Sequence, residues 1–321
     1  MNDTTIHDVV MIGAGPSALC AAVYTTREDI DTVLVEKGVV GGLAAITDWV
    51  DNYPGFSKGI SGLDLATELQ AQAERFGADI RYGEVTGLRQ ENGHHVIATT
   101  DGDILANAVL IATGSDYKKL GIPGEAEFYG RGVHYCATCD GAFYRDKRIA
   151  VVGGGNSAVQ EALFLTRFAA HIDLLVRSQL RASEVLQREL EKAVQEGKIT
   201  VHLETSPTEV IASDGKNVDK VTITSGGTSS KLAVDGVFVF IGLLPNTGFL
   251  TGSGIELDDV GMIVTDSNLM TSVPGVFASG DVRSGATAQI ASAVGEGATA
   301  ALKLREYLEE HARTAPEQSK A

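Results

Sequence analysis

Basic residues are in short supply in this chain. Its 321 residues carry 26 Lys and Arg against 42 Asp and Glu, for a formal net charge of −16. A surface this acidic repels phosphate backbones, which excludes a nucleic-acid partner and leaves solubility as the plain meaning of the charge. Long apolar runs are also missing. None approaches the ~20 residues of a membrane-spanning helix, and the longest, such as VFVFIGLL at 237–244, have the length of buried strands. No basic-then-apolar export signal opens the chain, so the expected location is the cytoplasm, with no membrane partner. Cysteine is scarce, at three residues. In a reducing compartment those three have no structural disulfide to make, and each must be read for chemistry or packing. Proline is rare at 7, whereas Gly is abundant at 37, the balance expected of many tight turns between strands and helices. With 44% hydrophobic residues the chain can bury a substantial core, and its length suits two domains.

One supersecondary unit occurs twice. Residues 8–12 (DVVMI) read as a strand, Gly13-Ala-Gly15-Pro-Ser-Ala18 as a turn, about Ser17 to Thr26 as a helix and 32–35 (TVLV) as a second strand closing on Glu36. The pattern returns as strand 148–152 (RIAVV), turn Gly153-Gly-Gly155-Asn156-Ser157-Ala158, a helix to about Phe168 and strand 172–176 (IDLLV). Strands are further expected at 95–99, 104–112, 199–203, 219–224 and 237–241. A helix is expected at about 288–310, with a loose tail over 312–321.

In such a unit the first Gly makes a tight turn and the second lets a pyrophosphate approach the backbone. The third small residue, here Ala18 or Ala158, lets helix and strand pack closely. The helix N-terminus then offers free N–H groups to the phosphates. One glycine turn is a weak signal; two in full strand–turn–helix context point to two dinucleotide sites. Glu36, 23 positions after Gly13, suits ribose hydroxyls and repels a 2′-phosphate, so the first site reads as FAD. The same offset from Gly153 falls on Val176, followed by Arg177 and Arg181, whose guanidinium groups suit a phosphate. The second site therefore reads as NADPH, against the plainer reading of the two Arg as a solvated face.

The sharpest local signal is Cys136-Ala-Thr-Cys139-Asp140. Two intervening residues let the sulfurs bond and reopen, as a redox pair requires. Two alternatives stay open: a zinc site completed by His134 and Asp140, or a pair of inert core cysteines. Cys20 lies on the apolar face of the first helix and reads as a packing residue.

Taken together, these stretches resemble the low-molecular-weight thioredoxin reductases along nearly the whole chain. The resemblance is carried by Gly13-Ala-Gly-Pro, Asp51-Asn52-Tyr53-Pro54-Gly55, Ala112-Thr113-Gly114, Cys136-Ala-Thr-Cys139-Asp140-Gly141, Gly153-Gly-Gly-Asn156-Ser157-Ala158-Val159 and Ala278-Ser-Gly280-Asp281. It implies an α/β fold of two Rossmann-like dinucleotide-binding domains, the second inserted into the first. An FAD domain would comprise 1–115 and 246–321, and an NAD(P)H domain bearing the cysteine pair 116–245. It implies a homodimer that passes electrons from NADPH through FAD and the Cys136/Cys139 pair to thioredoxin. Cys139 would face the flavin, Cys136 would attack the substrate disulfide, and Asp140 would exchange a proton with the thiols. Gly42, Thr113, Gly114 and Gly280 belong to the expected FAD set. Asp281 would hold the ribityl or phosphate region, with Asn52 and Gln289 near the ring. The resemblance also implies a large rotation between the domains.

Three positions depart from the family pattern. Val176-Arg177-Ser178 followed by Arg181 replaces a His-Arg-Arg and a later Arg, with one residue fewer between them. Leu43 stands after Gly41-Gly42 in place of Gln, and Ala288-Gln289 replaces Arg-Gln. The first change weakens the expected preference for NADPH and admits another donor, such as ferredoxin. Two rival functions follow from the same residues: an FAD-dependent dithiol oxidase, which has no need of the Gly153–Ala158 turn, and a flavin-binding redox sensor, which has no need of the dithiol.

Overall fold

The computed structural model describes residues 5–47 and 49–314, with 315–321 of the expected tail outside that range. The chain divides into two compact units. One contains the residues up to Asp116 and those from Leu244 onward, and the other is Tyr117–Leu243.

The first unit is built on a seven-stranded sheet. Its path runs Asp79–Tyr82, Thr32–Glu36, Ile6–Ile12, Gly102–Ile111, His94–Thr99, Val85–Glu91, and Val276–Ala278 pairs with Gly102–Ile111 off that path. Val9, Val10, Met11 and Val109 to Ile111 are wholly buried. Burial on both faces is why these strands read as apolar runs without alternation. The ten-residue strand Gly102–Ile111 pairs with three others. Its beginning lies antiparallel to His94–Thr99, and its end lies parallel between Ile6–Ile12 and Val276–Ala278. The parallel half thereby brings the C-terminal ends of three strands, and the loops after them, to one edge.

Helix Pro16–Thr26 and the 25-residue helix Ile290–Thr314 cover that sheet. They approach so closely that a Cβ on Gly297 would collide with the Ser17 carbonyl oxygen, so no side chain is tolerated there. Leu19 and Leu304 are fully buried in the core cluster of this unit, and truncating either to Ala costs about 2–5 kcal/mol. The final helix begins at Ile290, later than the expected 288, because Ala288 has φ of +54°, outside the right-handed helical region. It continues to Thr314, so the expected loose tail is helical over its first residues. Helix Gly62–Arg75, absent from the sequence reading, is capped by the Ser61 hydroxyl, which accepts from the Asp64 N–H at 3.0 Å.

The second unit has an all-parallel five-stranded sheet ordered Ile199–His202, His171–Leu175, Arg148–Val152, Gly236–Val239, Val133–His134. A three-stranded antiparallel sheet, Thr205–Ile211, Lys220–Ser225, Thr228–Ala233, accompanies it. The helix after the second glycine turn ends at Leu165, short of the expected Phe168, and the strand expected over 237–241 ends at Val239. Helix Glu184–Gln195 is strongly amphipathic, with Leu190 and Ala193 buried. Within the parallel sheet Asp173 is fully buried. Its carboxylate accepts from Arg148 Nε at 2.7 Å and Nη2 at 3.0 Å, and it meets His202 Nε2 at 2.8 Å. Burial alone would raise its pKa; the hydrogen bonds from Arg148 and His202 reverse that and hold it below the usual carboxylate range.

Candidate cofactor cavities and the cysteine pair

A cavity of about 330 Å³ opens in the first unit over the Gly13 turn. Gly13 has φ of +98°, and a Cβ there would sit 2.7 Å from the Ala112 carbonyl oxygen, so the turn requires glycine. Nothing lies within 4 Å of where a Cβ on Gly15 would be, which leaves its backbone open to a ligand. Ala18 is completely buried behind the wall, where it permits helix and strand to pack. The Pro16–Thr26 helix has no side-chain cap, so its first N–H groups face the cavity unclaimed. Glu36 lines the same cavity with both oxygens engaged: Oε2 accepts from Ala14 N–H at 2.8 Å and Oε1 from Gly38 N–H at 2.7 Å.

The other expected FAD residues gather here as well. Gly42, Thr113, Gly114, Gly280, Asp281 and Gln289 all line the cavity. Thr113 spends its hydroxyl on the Asn246 carbonyl at 2.8 Å, while Asn246 Nδ2 donates back to the Thr113 carbonyl at 3.0 Å. Asn246 is a wall residue that the sequence reading missed; its place shortly after the last strand of the second unit was the available signal. Asn52 donates from Nδ2 to Gln289 Oε1 at 3.0 Å. Burial, with the charge of Glu296 second, pushes the Asp281 carboxyl up to about 6. A buried carboxylate facing a like charge is stabilised by a ligand hydroxyl that donates to it. Open glycine backbone, free helix N–H groups and two carboxylates at the walls suit a dinucleotide with hydroxyls at both ends, and FAD has those features. Leu43, in place of the family's Gln, offers apolar surface.

A second cavity, about 660 Å³, lies wholly within the other unit. Gly153, Gly155, Asn156, Ser157, Ala158, Arg177 and Arg181 all line it. Gly153 has φ of +143°, and a Cβ there would collide with the Phe240 carbonyl oxygen and stand 2.7 Å from Ala158 Cβ. Gly155, like Gly15, is open, and helix Asn156–Leu165 also lacks a side-chain cap. Asn156 uses its Oδ1 to accept from Ser183 N–H at 2.8 Å, and Arg181 N–H donates to the Gly154 carbonyl at 2.7 Å. These two bonds fasten the arginine-bearing loop over the glycine turn. The side chains of Arg177 and Arg181 are free to reach a phosphate at the rim. Lys118 and Lys119 line the same cavity. They went unread because they lie far in sequence from the glycine turn, although they double the positive charge there.

Cys136 and Cys139 are joined, Sγ to Sγ, at 2.08 Å, with Cα atoms 5.3 Å apart. Cys136 caps the short helix Ala137–Asp140, and its sulfur accepts from the Cys139 N–H at 3.1 Å. That N–H favours negative charge on Cys136 Sγ once the bond opens. Asp140 Oδ2 lies 3.2 Å from His134 Nδ1, and His134 Nε2 lies 2.7 Å from the Tyr144 hydroxyl. The sulfurs bond each other, so His134, Cys136, Cys139 and Asp140 do not converge as a zinc-holding group among the described residues. Cys20 is half-buried, and its burial pushes the thiol up to about 11, which makes it a poor nucleophile.

Comparison with known proteins shows the family. The family model described as pyridine nucleotide-disulphide oxidoreductase matches residues 7–297. The chain is 42% identical over 312 residues to a thioredoxin reductase of Listeria monocytogenes, covering 96% of each. It is 41% identical over 313 residues to one of Bacillus subtilis, covering 97% of each. The crystal structure of thioredoxin reductase from Streptococcus pyogenes superposes with a TM-score of 0.90 at 38% identity, covering 96% of this chain and 100% of that one.

Proposed function

The chain belongs to the pyridine nucleotide-disulphide oxidoreductase family, and from that premise we propose that it is a thioredoxin reductase, taking electrons from NADPH through FAD to a thioredoxin disulfide. One observation carries the reading: a bonded Cys136–Cys139 pair occurs in a chain that also holds two separate glycine-walled cavities. A dithiol oxidase would not need the second cavity, and a flavin-binding sensor would not need the pair.

The residues divide the labour. Glu36 and the Gly13–Gly15 turn would hold the adenosine and pyrophosphate portions of FAD, and Asp281 would take a hydroxyl of its middle portion. Asn52 and Gln289 would serve its ring. When bound, the flavin supplies the conversion of a hydride from the nicotinamide into an electron pair for the disulfide. Arg177 and Arg181, with the Gly153–Ala158 turn, hold NADPH. Net, one disulfide, one NADPH and one proton become two thiols and NADP⁺. Cys136 Sγ, favoured as thiolate by the Cys139 N–H, attacks the thioredoxin disulfide. The mixed disulfide forms as one thioredoxin sulfur leaves. Cys139 then displaces the second sulfur and restores the Cys136–Cys139 bond. Asp140 passes the protons that the departing thiolates take up. The protein acts as a homodimer in the cytoplasm, with an NADPH domain rotating against an FAD domain to alternate the partners of the flavin. No described helix is long and apolar enough to cross a membrane.

The test is NADPH-driven reduction of thioredoxin by the purified yellow protein, followed as NADPH consumption. Turnover with NADPH and thioredoxin supports the reading. Flavin present but idle with both nucleotides transfers support to another electron donor.

A further inference from the structure

His134 is a buried histidine that the proposed reaction leaves without a task. The residue is 5% exposed, and its ring lies between two aromatic rings, stacked on Phe238 at 5.1 Å and edge-on to Tyr144 at 5.3 Å between centroids. The Nε2 nitrogen is hydrogen-bonded with the Tyr144 hydroxyl at 2.7 Å, and Nδ1 lies 3.2 Å from Asp140 Oδ2, within ion-pair distance. The sequence places His134 on a short strand two residues before Cys136, and Asp140 one residue after Cys139. The strand and the short helix thus bracket the cysteine pair and bring the two polar side chains together.

We propose that His134, fixed by Tyr144, is the positioning residue of Asp140, holding its carboxyl in one orientation through the proton exchange with the cysteine pair. The inference rests on the role of Asp140 proposed above. With the Tyr144 O–H donating to Nε2, the ring N–H is on Nδ1 and faces Asp140 Oδ2 at 3.2 Å. When Asp140 takes a proton from a thiol, the proton rests on its other oxygen, so Nδ1–H still faces Oδ2 and the Tyr144 O–H still donates to Nε2. The contacts among these three side chains are satisfied in both states, and no heavy atom has to move. A phenylalanine at 134 would fill the same space but would leave Asp140 and Tyr144 without this partner.

The surroundings keep this trio of groups intact. A Cβ on Gly236 would collide with the Tyr144 ring, so glycine there is what lets Tyr144 lie flat against the strand. Burial, then the charges of Asp140 and Asp235, push the Tyr144 phenol far above its ordinary range, and it keeps its proton throughout. The charged and titratable groups facing the trio are few. Lys147 has its Nζ 5.4 Å from the Tyr144 ring centroid, Asp235 acts on Tyr144, and Tyr129 senses the charge of Asp140. Phe238 closes the remaining side.

The experiment uses flavin-loaded protein with its cysteine pair reduced under anaerobic conditions. The rate of iodoacetamide modification of Cys136 and Cys139 is measured by mass from pH 5 to 9, alongside thermal melting. The variants are D140N, H134F, H134N and Y144F. D140N alters the shape of the pH profile. H134F, which keeps the packing and removes the donor, moves the profile toward that of D140N and lowers thioredoxin turnover about tenfold. H134N, whose amide N–H replaces Nδ1–H, retains the wild-type profile even where its melting temperature falls. Y144F moves the profile in the same direction as H134F by a smaller amount, and it serves in place of H134F should that variant not fold. A wild-type profile in H134F and Y144F, with D140N altered, overturns the role of His134 alone. A wild-type profile in D140N removes the role of Asp140, and with it that of His134.

Discussion

The Glu36 side chain accepts a hydrogen bond from the Ala14 N–H at 2.8 Å, tying the end of the second strand to the middle of the first glycine turn. The carboxylate therefore shapes the turn in addition to the ribose contact proposed for it. Its second oxygen accepts from Gly38 N–H at 2.7 Å, which fixes the side chain's orientation from the other direction.

Glu36→Ala removes both functions. The variant is expected to purify with far less flavin, its affinity for FAD reduced at least tenfold, since a charge-assisted hydrogen bond is worth about 1.5–3 kcal/mol. Glu36→Gln keeps an acceptor for one N–H and falls between. Flavin absorbance per chain, followed by titration of the stripped protein with FAD, gives the values. Full flavin retention in Glu36→Ala would place the adenosine elsewhere.

Asp281, which lines the first cavity, destabilises the fold when ionised. Burial and Glu296 raise its pKa from the ordinary 3.8 to about 6, so ionisation opposes the fold. The sign follows directly. Well below the ordinary value the carboxyl is protonated in folded and unfolded chains alike, and nothing is lost. The loss grows as pH rises through the interval between the two values and is complete above the upper one, at about 1–3 kcal/mol. In flavin-free protein Asp281→Asn is expected to melt higher than wild type at neutral pH, with the gain shrinking as the solution is acidified, while binding FAD more weakly. Melting curves of the stripped proteins across that pH range check this; a gain of constant size would assign the effect to packing.

Arg177 lines the cavity proposed for the nicotinamide nucleotide, where the proposed reading has it contact the extra phosphate. Its replacement by Ala is expected to raise the KM for NADPH about tenfold and to leave kcat and the NADH KM nearly unchanged, because the contact is far from the hydride. Arg181→Ala behaves alike. Lys118 and Lys119 line the same cavity, and they keep part of the NADPH preference in both variants. Steady-state kinetics with both nucleotides decide it, and equal use of NADPH and NADH by the wild type would reduce the two arginines to a solvated face.

Much of this was legible in the sequence, for physical reasons that can be named. Gly13 and Gly153 were readable because a positive φ beside a close carbonyl admits only glycine. The central strands of the parallel sheets were readable because burial on both faces demands apolar runs, whereas the short strands Asp79–Tyr82, Val133–His134 and Val276–Ala278 went unread. Helix Gly62–Arg75 and the flanking strands Thr205–Ile211 and Thr228–Ala233 were not readable, since their half-exposed faces mix polar and apolar residues; the strand between them, expected at 219–224, is Lys220–Ser225. The delayed start of the final helix turns on a single backbone conformation, that of Ala288. The His134 interactions depend on Tyr144 and Phe238, which reach the ring from other elements and leave no local pattern. Asn246 joined the flavin-cavity wall for the same reason, across 133 positions from Thr113.

The central claim is that electrons from NADPH reach the Cys136–Cys139 bond through a flavin held by this chain. The most direct measurement is anaerobic addition of one equivalent of NADPH to the oxidised yellow protein, with the flavin band and the number of alkylatable thiols followed together. The wild type is expected to bleach transiently, then recover its yellow colour as the Cys136–Cys139 bond opens to two thiols. Cys136→Ser and Cys139→Ser should bleach and stay bleached without the gain in thiols, and Cys20→Ser should match the wild type. Bleaching in the wild type with no new thiols at Cys136 and Cys139, or thiol formation that persists in either single variant, would contradict the account.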